Sequence, residues 1–189
     1  REICCDPRLV ADNWTGSSAK LDACLELVTE AVAGGHRILL FSQFTSMLEL
    51  LAKRLDEAGV SHFTLQGSTP KPVRAEQVRR FNQGEADVFL ISLRAGGTGL
   101  NLTAADIVIH YDPWWNLAAQ NQATDRAYRI GQRNPVQVYR LIAQDTIEEK
   151  IVELQQAKQS LADTVTGGAD GAILSMNPEQ LLQLLGEEA

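Results

Sequence analysis

Short apolar runs alternate with segments of helical periodicity through the middle of the chain. In the runs, Leu, Ile, Val and Phe follow one another with little polar interruption, which is the pattern of a strand that is buried on both faces. Such runs predict strands over residues 37–42, 87–92 and 107–111. Two stretches that are more polar, 62–66 and 136–142, are predicted as strands because they continue the alternation of strand and helix. Helical spacing of apolar residues predicts helices over 45–58 and 73–81, and a further helix that contains Gln122.

These repeated units of strand and helix predict the fold class. Parallel strands need a crossover connection, and a helix is the usual one. We therefore expect an α/β fold in which an open parallel sheet carries helices on both faces. In such sheets ligands bind beyond the carboxyl ends of the strands, which is where Ser92 and Asp112 fall.

Helices are also predicted on both sides of the sheet region. Ser17 or Ser18 is a suitable N-cap for one helix, and the run Thr146-Ile-Glu-Glu matches a capping box that opens another, with Ile147, Ile151 and Leu154 as its apolar stripe. We expect four regions, namely a connecting segment over 1–16, the α/β lobe over 17–145, a helix over 146–165, and a flexible linker with a short C-terminal helix over 166–189.

Composition excludes several classes of protein. The chain has 189 residues, and no apolar run in it reaches the roughly 20 residues that a membrane-spanning helix needs. The three cysteines and three histidines lack the spacing of a metal site, so no metal ligands are predicted. Cysteine usage of this kind favours a reducing, cytoplasmic location. The first residue is Arg, and we expect the chain to be a piece of a longer protein.

The net charge of −7 conceals an uneven distribution along the chain. Residues 71–140 carry nine Lys or Arg against six Asp or Glu, whereas the remaining residues are acidic in balance. A locally basic surface on an acidic body is compatible with nucleic-acid binding.

Two arginines, Arg126 and Arg129, stand close together in the segment Gln122-Ala-Thr-Asp-Arg-Ala-Tyr-Arg-Ile-Gly-Gln132. On a helix their spacing puts both guanidinium groups on one face. There they can fork onto phosphate oxygens and neutralise the charge that develops in phosphoryl transfer. The alternative is a solvated helix face, which is the commoner setting of such pairs.

A glycine-rich segment, Ser92-Leu-Arg-Ala-Gly-Gly-Thr-Gly-Leu-Asn-Leu102, lies upstream of the arginines. Its glycines would let the backbone approach a phosphate closely, and a tight structural turn is the alternative. The segment lacks the Lys of a Walker A loop, and no GxxxxGK[S/T] occurs in the sequence. We therefore expect no ATP hydrolysis by this chain alone.

With Tyr111-Asp-Pro-Trp-Trp-Asn116 between these two segments, the chain resembles the second RecA-like lobe of SNF2-family ATPases, and most of all the bacterial members. Residues 38–45 resemble motif IV, 92–102 motif V and 122–132 motif VI. Leu65 to Thr69, with Arg74 and Phe81-Asn82, resembles the element after motif IV. The resemblance covers nearly the whole chain, and it implies a RecA-like sheet followed by a brace-like helix over 146–165.

The resemblance also implies roles for single residues. The arginine fingers, which are the catalytic residues, would be Arg126 and Arg129. The cofactor would be ATP with Mg²⁺, the metal held mainly by a first lobe, and the contacts to ATP would come from Gly99, Asn101 and Gln122. The contacts to DNA would come from Ser92, Arg94, Gly96, Gly97, Trp115 and Asn116. Leu93 departs from the family, because many members have a Thr there whose hydroxyl can bond a DNA phosphate.

Four further side chains are candidate DNA contacts, namely Gln43, Ser68, Thr69 and Lys71. Hydroxyls and an ammonium can hold a phosphate backbone without reading its sequence. Ser68 and Thr69 fit a capped helix start equally well. Two adjacent indoles cannot both enter one core from a short segment, so either Trp114 or Trp115 is expected at a surface, against DNA or against another lobe.

We therefore expect the second motor lobe of an ATP-dependent DNA translocase. Its partners would be duplex DNA and the first RecA-like lobe of the same polypeptide, with no membrane involved. One alternative is a non-catalytic module that binds DNA or protein. The other is an RNA helicase lobe, although such lobes usually carry a motif closer to His-Arg-x-Gly-Arg than residues 122–132 are.

Overall fold

Parallel strands form one sheet at the centre of the lobe. The computed structural model describes residues 1–11, 13–93, 95, 100–125, 127 and 135–166. The strands are β1 (Ile38–Ser42), β2 (His62–Leu65), β3 (Val88–Ser92), β4 (Ile107–His110) and β5 (Gln137–Arg140). Their order across the sheet is β2-β3-β1-β4-β5, and neighbouring strands are parallel throughout. The predicted open parallel sheet is confirmed.

Helices precede, connect and follow the strands. They are α1 (Glu2–Cys5), α2 (Ala19–Ala33), α3 (Thr45–Glu57), α4 (Lys71–Asn82), α5 (Leu117–Thr124) and α6 (Ile147–Thr166), with a 3-10 turn over Pro7–Leu9. Helix α4 begins before the predicted start because a proline fits its first turn, where the missing N–H has no helical partner. None of the helices in the described ranges is both long and apolar enough to cross a membrane.

Alternate residues of the strands belong to two separate hydrophobic cores, one on each face of the sheet. On one face, Ile38 and Leu40 of β1 belong to a cluster that includes residues of α2 and α3. On the other face, Leu39 and Phe41 belong to a cluster that includes Phe81 of α4 and a residue of α5. Because every residue of β1 and β3 is buried, these strands have the unbroken apolar sequence from which they were predicted.

Side chains cap the N-terminal ends of α2 and α6, the helices that precede and follow the sheet. Ser18, one of the two predicted caps of α2, accepts a hydrogen bond from Leu21 N at 3.4 Å. At α6, Thr146 Oγ1 accepts from Glu148 N at 3.1 Å, and the Glu149 carboxylate accepts from Asp145 N at 2.8 Å. The predicted capping box is therefore shifted, since each bond uses a residue one position earlier than expected.

The apolar stripe predicted on α6 is only partly buried. Ile151 is buried, whereas Ile147 is 46% and Leu154 is 61% exposed. Residues Arg1–Val152 form one compact unit and Glu153–Ala189 another. In the second unit the described residues continue α6 to Thr166, and the short helix predicted after Asn177 lies outside them.

Candidate functional site

The carboxyl ends of β1 and β4 lie side by side at the centre of the sheet. The chain leaves β1 towards β2 at one edge, and it leaves β4 towards β5 at the other edge. In open parallel sheets such a change of direction creates the crevice in which ligands bind. Ser42 ends β1, and Asp112 lies just beyond the end of β4.

Asp112 joins the two strand ends from a buried position. Its Oδ1 accepts a hydrogen bond of 2.5 Å from Ser42 Oγ, and both carboxylate oxygens lie 3.3 Å from Gln43 N. Burial raises the pKa of the Asp112 carboxyl, and the hydrogen bonds from Ser42 and Gln43 oppose that rise. Since Asp112 is only 1% exposed, its carboxylate is an internal link at this point and does not face a ligand.

The segment after β4 is held by the N-terminal segment as well. The carbonyl oxygen of Pro113 accepts hydrogen bonds from Gln43 Nε2 at 3.4 Å and from Arg1 Nη2 at 2.7 Å. One position before Asp112, Tyr111 OH donates to the carbonyl oxygen of Cys5 at 2.9 Å. The amide group of Gln43 thus holds this segment, and the DNA contact expected from Gln43 stays a prediction.

The two adjacent tryptophans have different surroundings. Trp115 is 60% exposed and Trp114 is half-buried, which confirms that one of the indoles lies at a surface. Asn116 is exposed and caps α5, because its Oδ1 accepts a hydrogen bond from Ala119 N at 3.3 Å. Trp115 and Asn116 are therefore accessible at the start of α5, and their contact to DNA stays a prediction.

Hydrogen bonds hold α5 at its middle and at its C-terminal end. Trp114 N donates to Gln120 Oε1 at 3.2 Å, and Gln120 is 1% exposed. Farther along, Thr124 Oγ1 lies 2.9 Å from His110 Nε2 and donates to the carbonyl oxygen of Gln120 at 3.3 Å. Because the hydroxyl hydrogen of Thr124 is used in the second bond, the imidazole supplies the hydrogen of the first.

His110 is a buried, neutral imidazole. The residue is 1% exposed, and its ring stacks on Phe41 with the ring centroids 5.5 Å apart. Burial lowers the pKa of His110 to about 4, and the nearby charge of Arg140 adds to this effect. Its Nδ1 is buried without a hydrogen-bond partner in the part of the chain that the structure describes. His110 is therefore a neutral hydrogen-bond donor to α5 at physiological pH.

The two ends of α4 carry two different sets of predicted contacts. Ser68 and Lys71 are exposed at its N-terminal end. At its C-terminal end, Asn82 Nδ2 donates to the carbonyl oxygen of Asn101 at 2.8 Å, and Asn82 Oδ1 accepts from Ala104 N at 3.3 Å. A helix of 12 residues is about 18 Å long. The predicted DNA contacts and the predicted nucleotide contact Asn101 are thus separated along α4.

The start of α4 decides between the two interpretations of Ser68 and Thr69. The N-cap is Pro70, and no side chain caps the helix. Thr69 Oγ1 instead accepts a hydrogen bond from Gln66 N at 3.0 Å, which closes the turn before the helix. The interpretation as a helix cap is therefore wrong, while phosphate binding by Ser68, Thr69 and Lys71 stays a prediction.

Some of the remaining predicted site residues lie within the ranges that the structure describes, and others lie outside them. Ser92 ends β3 and pairs in register with Ser42, but it is 2% exposed, so a DNA phosphate reaches its hydroxyl only if neighbouring residues move. Asn101 and Gln122 are exposed. The residues that lie outside the described ranges are Arg94, Gly96, Gly97, Gly99, Arg126 and Arg129.

Four polar residues hold this region together without having been predicted to do so, namely Asn82, His110, Asp112 and Gln120. One signal was available for His110 and Asp112, since a polar residue directly at the end of a buried apolar run tends to be buried with it. Asn82 and Gln120 gave no such signal. Within the described ranges, no group of three or more His, Cys, Asp or Glu side chains is placed to hold a metal ion.

The parallel sheet, its covered faces and the polar segments at its carboxyl edge define a RecA-like lobe of the helicase type. The family model described as "Helicase conserved C-terminal domain" matches residues 19–131, and the chain belongs to this family.

Named relatives make the family assignment more specific. The chain is 43% identical over 169 residues to an uncharacterized ATP-dependent helicase of Mycoplasma pneumoniae, covering 89% of this chain and 16% of that protein. It is 40% identical over 190 residues to the putative ATP-dependent helicase/translocase YwqA of Bacillus subtilis, covering 97% of this chain and 20% of that protein. It is 47% identical over 168 residues to the chromatin-remodeling ATPase INO80 of Aspergillus terreus, covering 88% of this chain and 10% of that protein.

A solved structure agrees with these relatives. The C-terminal part of the Fun30 ATPase domain is similar with a TM-score of 0.70 and 34% identity, covering 81% of this chain and 52% of that one. The resemblance to the C-terminal RecA-like lobe of SNF2-family ATPases is thus confirmed. The chain spans a fifth or less of the length of the three relatives named above.

Proposed function

We propose that this chain is the second motor lobe of an ATP-dependent translocase that moves along duplex DNA. The observation that supports the proposal most is the family match over residues 19–131, together with relatives that are named as ATP-dependent helicases and a chromatin-remodeling ATPase. The sequence has no GxxxxGK[S/T], so the Walker A lysine would come from a first lobe of the same polypeptide. The lobe alone then hydrolyses no ATP.

In this proposal ATP binds between the two lobes. Asn101 and Gln122 are exposed amides that suit polar contacts to a nucleotide, and Gly99 adds backbone contact. Arg126 and Arg129 act as arginine fingers on the transferred phosphoryl group. The Mg²⁺ ion, which would neutralise phosphate charge, is held mainly by the first lobe, as the resemblance to SNF2-family ATPases implies.

Duplex DNA lies along the surface that carries Trp115, Asn116, Ser68 and Lys71. The exposure of these side chains supports this part of the proposal, as does the local excess of basic residues over 71–140. Hydroxyls, amides and ammonium groups hold phosphates in any sequence, which is what a translocase requires. Trp115 supplies a large exposed aromatic surface for contact with a groove wall.

The test is ATP hydrolysis by the full-length protein that contains this chain, measured without nucleic acid and with duplex DNA, single-stranded DNA or RNA. We expect stimulation by duplex DNA. Arg126→Ala and Arg129→Ala should each lower the stimulated rate by roughly 10³ to 10⁵, the effect of removing a finger. Arg54→Ala is the matched control, because Arg54 lies on α3 outside residues 71–140 and pairs with Glu57, and it should leave the rate unchanged.

Each other result points to a different function. Stimulation by RNA instead of duplex DNA would replace the translocase with an RNA helicase. Binding of DNA without hydrolysis would favour a non-catalytic module. Full activity of both finger variants would remove Arg126 and Arg129 from the site.

A further inference from the structure

Helix α5 connects two surfaces to which different ligands are assigned in the proposed function. It begins after Trp115 and Asn116, which belong to the DNA surface, and it carries Gln122, which belongs to the nucleotide site. Its eight residues span about 12 Å. The segment with Arg126 and Arg129 follows α5 directly in the sequence. Any rotation of α5 would therefore be passed to both surfaces.

Apolar packing restrains α5 only weakly. The buried residues of the helix are Gln120 and Ala123, and one alanine buries little apolar surface. A short helix also has little intrinsic stability of its own. The orientation of α5 must therefore be set largely by its polar contacts.

Two partly buried hydrogen bonds supply this orientation. Gln120 Oε1 accepts from Trp114 N at 3.2 Å, which ties the helix to the segment that presents Trp115. Thr124 Oγ1 bonds His110 Nε2 at 2.9 Å, which ties the C-terminal end of the helix to strand β4. The Thr124 hydroxyl also donates to the carbonyl oxygen of Gln120 at 3.3 Å, so the two contacts form one connected chain.

We propose that His110, Thr124 and Gln120 are positioning residues that hold α5 in the one orientation in which the arginine segment meets ATP when DNA is bound. This inference rests on the proposed function. In the proposed function, none of these three residues touches ATP or DNA. They act by fixing the helix, so their loss lowers the rate of hydrolysis and leaves the binding of both ligands intact.

The experiment uses the full-length protein with saturating duplex DNA. Thr124→Val keeps the shape of the side chain and removes its hydroxyl, and Thr124→Ser restores the hydroxyl. Thr29→Val is the matched control, because Thr29 is an exposed helical threonine whose hydroxyl donates, among the described residues, to Leu25 O and Glu26 O of its own helix. The readouts are kcat, KM for ATP, and the Kd for a labelled duplex.

We expect Thr124→Val to lower the stimulated kcat roughly five- to tenfold, with KM and Kd within about twofold of the wild type. Thr124→Ser and Thr29→Val should retain the wild-type kcat. A fall in kcat of less than about threefold for Thr124→Val would overturn the inference, and so would a change confined to KM or Kd.

A second comparison keeps the inference testable if packing changes in one variant. His110→Phe removes the same hydrogen bond from the other side and keeps an aromatic ring against Phe41. His110→Phe and Thr124→Val remove the same hydrogen bond, so the double variant should be no slower than the slower single variant. A double variant whose loss in kcat is the product of the two single losses would overturn the inference. If the wild type shows no duplex-stimulated hydrolysis, the proposed function itself is refuted. That result differs from the outcomes above, which would overturn only this inference.

Discussion

The stability of the lobe should depend on pH through His110. Burial lowers the pKa of this imidazole from 6.5 to about 4, so the unfolded chain binds a proton in a pH range where the folded lobe does not. The unfolded state is then favoured as the pH falls. His110 therefore contributes no penalty above pH 6.5, and a penalty develops as the pH falls from about 6.5 towards 4.

The size of the effect follows from these two pKa values. Between pH 7 and pH 4.5 the difference in proton binding costs about 2 kcal/mol of the free energy of unfolding. In His110→Phe this part of the pH dependence is absent. At pH 7 the variant should differ from the wild type by about 1 kcal/mol or less, because it loses one hydrogen bond and also removes the buried Nδ1 that has no partner among the described residues.

The assay is urea denaturation of the wild type and His110→Phe at several pH values between 7 and 4.5, followed by circular dichroism. Comparison of the two proteins cancels the titration of the carboxyl groups, Asp112 included. Thr124→Val is the control, since it removes the hydrogen bond and keeps the titrating ring, and its curve should run nearly parallel to that of the wild type. Parallel curves for the wild type and His110→Phe would refute the assignment of a buried, neutral imidazole.

Two further substitutions test the polar contacts of the lobe by denaturation at pH 7. Asp112→Ala should cost about 3 kcal/mol, because it leaves Ser42 Oγ and Gln43 N without their acceptor, whereas Asp112→Asn keeps an acceptor oxygen and should cost clearly less; equal losses would contradict the role of Asp112 as an acceptor. Lys20→Met should cost about 3 to 5 kcal/mol, because it leaves the Glu148 carboxylate, 2.6 Å from Lys20 Nζ and 2% exposed, without its cation. The double variant Lys20→Met with Glu148→Leu should recover part of this loss, and a further loss would contradict it.

Strands β1, β3 and β4 could be predicted closely because they are buried on both faces, which gives their sequence a continuous apolar run. β1 is buried over Ile38–Ser42 on both faces of the sheet, and the apolar run of the sequence covers almost the same residues. Helix ends were predicted less well. A proline in the first turn of α4 and a shifted set of bonds at Thr146 decide those ends, and both are local details that hydrophobic spacing does not report.

The contacts within the candidate site could not be predicted in the same way. Hydrophobic spacing assigns a residue to a face, but it does not say which distant residue will meet it there. The bond from Asn82 to Asn101 and the bond from Tyr111 to Cys5 join residues that become neighbours only after the sheet has formed. The exposure of one indole in the Trp114-Trp115 pair was predictable, because it follows from sterics within a single short segment.

Hydrogen bonds between elements hold the segment after β4 and helix α5 at the carboxyl edge of the sheet. Apolar packing tolerates small rotations at little cost, whereas a buried hydrogen bond loses most of its strength when its geometry changes. The Asp112 carboxylate and the His110 imidazole therefore favour one discrete arrangement of the segment after β4 and of α5. In the proposed function, a discrete arrangement is what lets contact with DNA at Trp115 alter the nucleotide site as a unit. Substitutions at these polar contacts should accordingly change the coupling between DNA binding and hydrolysis more than they change the affinity for either ligand.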